Sequence, residues 1–289
     1  MPSYSFPISI FMDMLKPLQI FANRCSVKIW QVLVTAIVLN GLILAPSIFR
    51  YSRLTSYDMD AIMPSNLNAL TEDTYKILQE GTIKAGKYSG ESDLIQSGQS
   101  IVATLPSQAN LESIRLSGKY SLVLTETQWQ FYYPSGRKLS AQVIGSKNLK
   151  DLDSLSSVRE FVSHQWFMSY RKSVLIYLAL MSLAVFFTET LLVLVGGAVV
   201  LMLFQKTRQT FLGHFSEALG LIMGCLVFPS VIVLLCNLLG LIQSPWGLAA
   251  IQLLGTIAMI LWVALLTNFK DQILIEKQEM IDLDSLEEG

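Results

Sequence analysis

The sequence predicts an α-helical polytopic membrane protein, with four transmembrane helices and an α+β extracytoplasmic domain between the first and the second. Three observations predict it. Hydrophobic residues make up 52% of the 289 residues and charged residues only 15%, against roughly 25% charged in an ordinary globular domain. The charges avoid long stretches: residues 29–49 and 218–269 hold no Asp, Glu, Lys or Arg, and Glu189 stands alone between 173 and 205. Between the first two of these stretches, residues 50–172 carry fourteen basic and twelve acidic residues, the balance of a water-facing domain.

A helix needs about 20 apolar residues to cross a bilayer core. The expected spans are 29–49, 173–204, 218–242 and 246–268, with Gln243-Ser244-Pro245 as the turn between the last two. Residues 1–28 precede the first span. Phe11, Met14, Leu15, Leu18, Phe21 and Ala22 recur there at helical spacing, with Lys16, Arg24 and Lys28 elsewhere, which predicts an interfacial amphipathic stretch. The apolar run after it starts too late and is too long for a cleaved signal peptide, so it reads as a signal anchor. The second span has 32 residues, more than a straight crossing requires, and should tilt or protrude. Pro229 lies near the middle of the third span, where a proline is tolerated and normally kinks the helix. Trp246 and Trp262 lie toward the two ends of the fourth span, as in an aromatic belt.

Basic residues in the short flanks set the orientation. Lys16, Arg24 and Lys28 before the first span, and Lys206 and Arg208 in the 205–217 loop, place both regions in the cytoplasm. Both termini are then cytoplasmic, including the tail at 269–289 with its seven acids, and residues 50–172 lie outside the cell membrane. Arg50, Arg53, Arg171 and Lys172 border the membrane on the outside, against the rule. Cys25, Cys225 and Cys236 all fall outside 50–172, so the external domain folds without disulfides, as exported proteins of Gram-positive bacteria commonly do.

Within 50–172, helices are expected at 69–84 and 152–170, the latter running into the second span. Strands are expected at 100–105, 121–125, 128–133 and 139–144, short β-branched or aromatic runs separated by turn signals such as Pro134-Ser135-Gly136. Trp129, Phe131 and Tyr133 alternate along one strand face. Two readings stay open for them: a buried aromatic face, or a ligand or partner surface of the kind that binds sugars.

No catalytic motif emerges. There is no phosphate-cradling Gly loop, no His-Glu-x-x-His and no Gly-x-Ser-x-Gly, and nothing in the composition calls for a cofactor or a nucleic-acid partner. The two histidines, His164 and His214, are expected on opposite sides of the membrane. His214 and Glu217 read as a solvated loop pair sooner than a metal pair. Gly220 and Gly224 form a Gly-x-x-x-Gly spacing that permits close helix packing. Glu189, at mid-span, costs roughly 3 kcal/mol if ionised in the bilayer. It is expected to be protonated and to face the bundle or a partner subunit. Asn40 of the first span is its best-matched hydrogen-bond partner by depth.

The segment Ile83-Lys84-Ala85-Gly86-Lys87-Tyr88, the run around Pro229 (LGLIMGCLVFPSVIVLLCNLLGL) and the order of one span, external domain and three spans resemble an uncharacterised membrane family of Gram-positive bacteria that includes the maltodextrin-utilisation protein MalA. The resemblance implies an association with maltodextrin uptake and supplies no catalytic residues. Three functions stand as alternatives. The first is a non-catalytic accessory or regulatory membrane protein assisting an ABC-type sugar permease. The second is a small transporter acting as a homo-oligomer. The third, an intramembrane enzyme, is disfavoured because no nucleophile–base or metal set lies at membrane depth.

Overall fold

A computed structural model of the protein describes residues 11–208 and 214–270. Expectations for residues 1–10, for the centre of the 205–217 loop and for the acidic tail from 271 onward fall outside the described residues. The chain divides into two compact units, Met1–Ser52 with Tyr177–Gly289, and Arg53–Ile176.

The first unit is helical. Four helical runs are long and apolar enough to cross a membrane: Ile29–Ser52, Leu155–Leu203, Phe215–Leu238 and Pro245–Thr267. At 1.5 Å per residue the shorter ones reach about 35 Å, enough for a hydrocarbon core of about 30 Å. These are the marks of a multi-pass membrane protein. The second run consists of a helical stretch at Leu155–Leu191 that is kinked at Tyr170, where the backbone is non-helical, then a π-turn at Leu192–Gly196 and an α-helix at Gly197–Arg208. The third span is apolar on every face, and such a helix is buried. It packs against each of the other three spans. The helix runs unbroken across Pro229, whose ring fills a notch left by Gly255 of the fourth span: a Cβ there would sit 2.9 Å from the Pro229 Cβ.

The helix of the amphipathic N-terminal segment, Pro17–Ala22, lays Ile20 and Phe21 on the third and fourth spans. The Gly220/Gly224 pair receives it. A Cβ at Gly220 would lie 2.5 Å from the Arg24 carbonyl oxygen, and one at Gly224 would lie 2.7 Å from Ile20 Cγ2. The Gly-x-x-x-Gly spacing therefore serves intramolecular packing, with the N-terminal segment as its partner. Arg24, expected as an interfacial cation, is buried. Its Nη1 donates to the Phe21 carbonyl at 2.8 Å, its guanidinium lies 4.0 Å from the Phe21 ring centroid, and its Nε is 3.9 Å from Glu217 Oε2.

The second unit is α+β. A five-stranded sheet has the order β3-β4-β5-β6-β7, with β3 Asp93–Ser97, β4 Ser100–Thr104, β5 Tyr120–Leu124, β6 Gln128–Tyr132 and β7 Lys138–Gln142. All pairs are antiparallel except β4 with β5, which run parallel and are joined by the crossover helix Gln108–Leu116. That helix packs Ile114 and Leu111 over Ile101, Ala103, Val123 and Tyr132 on one sheet face. The other face carries Leu122 and Leu124, paired in register with Phe131 and Trp129. Trp129 meets Phe161, on the helix Leu155–Leu191, edge to face at 6.3 Å.

The helix expected at 69–84 does not form. Thr74 Oγ1 donates to the Ala69 carbonyl at 2.7 Å and accepts from the Thr71 N–H at 2.9 Å. Such side-chain bonds offer the backbone an alternative to a helix. The chain instead makes a 3₁₀ segment at Tyr75–Glu80, then a hairpin of β1 Thr82–Lys84 and β2 Lys87–Ser89, with β8 Lys147–Asn148 pairing on the far side of β1. Ala85 and Gly86, both at positive φ, make the two-residue turn, as a primed hairpin turn requires. The hairpin drives the Tyr88 ring between two glycines, because a Cβ at Gly81 or at Gly90 would collide with the ring and its hydroxyl. Burial pushes the Tyr88 phenol above its ordinary range. The segment on which the resemblance partly rests thus does a folding task.

Candidate functional site

Of the two sequence-derived sites, the aromatic strand resolves first. Trp129 and Phe131 are each 1% exposed and Tyr133 is half-buried. Burial at this level leaves Trp129 and Phe131 no surface to offer a ligand. The alternation marks a buried face, because the helix Leu155–Leu191 covers it.

The second site lies among the polar groups at membrane depth. Most of them clasp one span to another. Asn237 on the third span donates to the Ile43 carbonyl at 2.6 Å and to Ser47 Oγ at 3.0 Å on the first. Its Oδ1 accepts from Arg50 Nη2, which gives Arg50 a structural task at the end of the first span and accounts for its place there. Tyr51 and Ser182 join the first and second spans through their hydroxyls at 2.8 Å. Gln252 on the fourth span donates to Ser230 on the third at 3.0 Å. Each clasp contributes about 0.6 kcal/mol by the average for such pairs.

Asn40 belongs to the same set, but not with the expected partner. Its Oδ1 accepts from Thr190 Oγ1 at 3.1 Å. Thr190 is one residue beyond Glu189, and one residue is about 100° around a helix. Glu189 therefore points elsewhere. Both of its carboxyl oxygens are buried and neither has a hydrogen-bond partner among the described residues. The expected Glu189–Asn40 hydrogen bond does not form.

Glu189 lines a groove of about 850 Å³ between the second and fourth spans. The walls are almost wholly apolar, and several of the residues are small: Ala184 and Gly197 on one side, Ala249 and Ala250 on the other. The π-turn begins three residues after Glu189, and its Leu192 and Val193 also line the groove. Such turns insert one extra residue into a helix and recur at functional sites. The sequence marks Glu189 as the lone charge of its span, but carries no sign of the groove or the π-turn.

A second cleft, of about 410 Å³, lies in the α+β unit, among Asp58, Asp60, Arg159, Glu160 and His164. Three of these hold the fold. Asp58 caps the helical turn Met59–Ile62, Asp60 accepts from the Leu67 N–H, and Arg159 donates to the Leu70 carbonyl at 2.7 Å. No sequence signal joins these residues, which lie about a hundred positions apart. His214 is exposed at the start of the third span, and Glu217 meets Arg24 instead of forming a pair with it. Among the described residues no group of His, Cys, Asp and Glu is placed to hold a metal ion.

No protein-family model matches the chain, and no solved structure matches it. The chain is similar to the maltodextrose utilization protein MalA of Streptococcus pneumoniae, at 22% identity over 272 residues, a match that covers 92% of this chain and 97% of that protein.

Proposed function

We propose that this is a non-catalytic accessory or regulatory protein of the cell membrane that assists uptake of maltodextrins through a permease complex. The observation that carries the reading is the end-to-end similarity to a maltodextrose utilization protein. Two features of the molecule support it. The catalytic motifs sought in the sequence do not occur. Among the described residues four helices are long and apolar enough to span, and Glu189 is the one charge in residues 173–204; so few spans and so little intramembrane charge count against a transporter acting alone.

Affinity purification of the full chain in mild detergent tests the reading. Subunits of an ABC-type sugar permease should co-elute. Recovery of the chain alone, as a homo-oligomer, would replace the accessory role with the small-transporter reading. The proposed orientation puts both termini in the cytoplasm and residues 50–172 outside. A cysteine at Ser135 should therefore react with an impermeant thiol reagent on intact cells, and one at Gln209 should not, in a background lacking Cys25, Cys225 and Cys236. The reverse pattern inverts the topology.

A further inference from the structure

We propose that the groove between the second and fourth spans docks one transmembrane helix of a partner protein, and that this helix carries a basic side chain at mid-membrane which meets Glu189. The proposal rests on the accessory reading and specifies where and by what chemistry the partner is held.

Depth, shape and charge point to this occupant. Thr190 is hydrogen-bonded to Asn40, which lies at the centre of the 24-residue first span. Glu189 is therefore near the middle of the bilayer, far from water and headgroups. The groove walls carry Ala184, Gly197, Ala249 and Ala250, and small residues let helix backbones approach closely. A lipid acyl chain would fill the apolar walls but offer nothing to a carboxylate with two unpartnered oxygens. The π-turn three residues beyond Glu189 sets the groove wall out of the regular helical register, and such turns recur at functional sites.

The occupant is not a second copy of this chain. Residues 29–49, 173–204 and 218–269 contain no Lys or Arg, so no span of a second copy could bring a cation to Glu189 at mid-membrane. A buried acid in a membrane helix characteristically pairs with an opposite charge or a backbone carbonyl, and the described residues offer Glu189 neither. The complement has to come from another protein.

The test uses the purified full chain in phosphatidylcholine vesicles. The probes are two synthetic helices of about 20 leucines and alanines, long enough to span, one with a single central Lys and the other with Leu in its place. Association is read by energy transfer between labelled protein and labelled helix. The Lys helix should bind wild type about tenfold more tightly than the Leu helix, in the range of interhelical polar contacts in membranes. That preference should vanish in Glu189→Leu and shrink in Glu189→Gln. Ala250→Phe, which fills the groove and leaves Glu189 in place, should exclude the Lys helix. Equal binding of the two helices to wild type, or a Lys preference that survives Glu189→Leu, overturns the proposal. Transfer between copies of the protein that shuts out both helices overturns it too, in favour of a homodimer. No permease takes part, so failure here with a permease co-purifying removes the groove and leaves the accessory role standing. Success here with no permease recovered does the opposite.

Discussion

The two units treat a conspicuous side chain in opposite ways. In the α+β unit Trp129 and Phe131, which could have formed an exposed platform, are sealed: the crossover helix Gln108–Leu116 closes one face of the sheet and the helix Leu155–Leu191 closes the other. In the membrane unit most polar side chains are matched across a helix pair, yet the carboxylate of Glu189 is left without a partner on a groove wall. Where water is the solvent, an aromatic row is best explained by core packing, because burying such side chains stabilises by about 1.5–3 kcal/mol each. Where lipid is the solvent, an unmatched acid is costly, and Glu189 is the exception that the proposed partner helix would account for.

Substitutions can break that contrast. The largest effect is expected at Trp129. In the full-length protein Trp129→Ala should destabilise residues 53–176 by about 3–5 kcal/mol, read as loss of protease resistance at lower urea. A variant as resistant as wild type would return the strand to the role of a surface. Next comes Gly220→Val. Its side chain collides with the Arg24 carbonyl and should cost about 1–3 kcal/mol by overpacking, read as faster trypsin cleavage after Arg24, which is buried in wild type. An unchanged cleavage rate would show that the N-terminal segment is not docked on the third span. The smallest effect separates the two polar groups at mid-membrane. Asn40→Ala should lower the stability of the purified protein in detergent by about 0.6 kcal/mol, the mean for membrane hydrogen bonds. Glu189→Leu should cost nothing in the isolated protein, because no bond is lost. A larger loss at Glu189 than at Asn40 would make the carboxylate a structural group.

How much the sequence discloses depends on how far each signal reaches. Runs without charge are decisive for the spans because ions are excluded from hydrocarbon regardless of fold. Strands β4 to β7 are visible within about two residues, since their alternation is local. The crossover helix Gln108–Leu116 is not. It touches the sheet mainly through Leu111 and Ile114, too few apolar residues to make a periodic pattern. The segment 69–84 has helical spacing, but the hydroxyls of Thr71 and Thr74 and the slot for Tyr88 decide its conformation. Glu189 stands out as the lone charge in its span. Matching it to Asn40 by depth fails because depth says nothing about which way a side chain points around the helix. The neighbouring Thr190 takes that bond.

The docking of the N-terminal helix also has a consequence for the order in which the molecule is completed. Ile20, Phe21 and Arg24 leave the ribosome well before their seat does, because Gly220, Gly224 and Glu217 are synthesised about 200 residues later. At roughly 5–20 residues per second the delay is on the order of 10–40 s. For most of that interval the first span is already made, while the Pro17–Ala22 helix still lacks the third and fourth spans on which it packs. That segment can reach its final position only after the third span has been delivered. Its docking therefore reports that the helical bundle has closed.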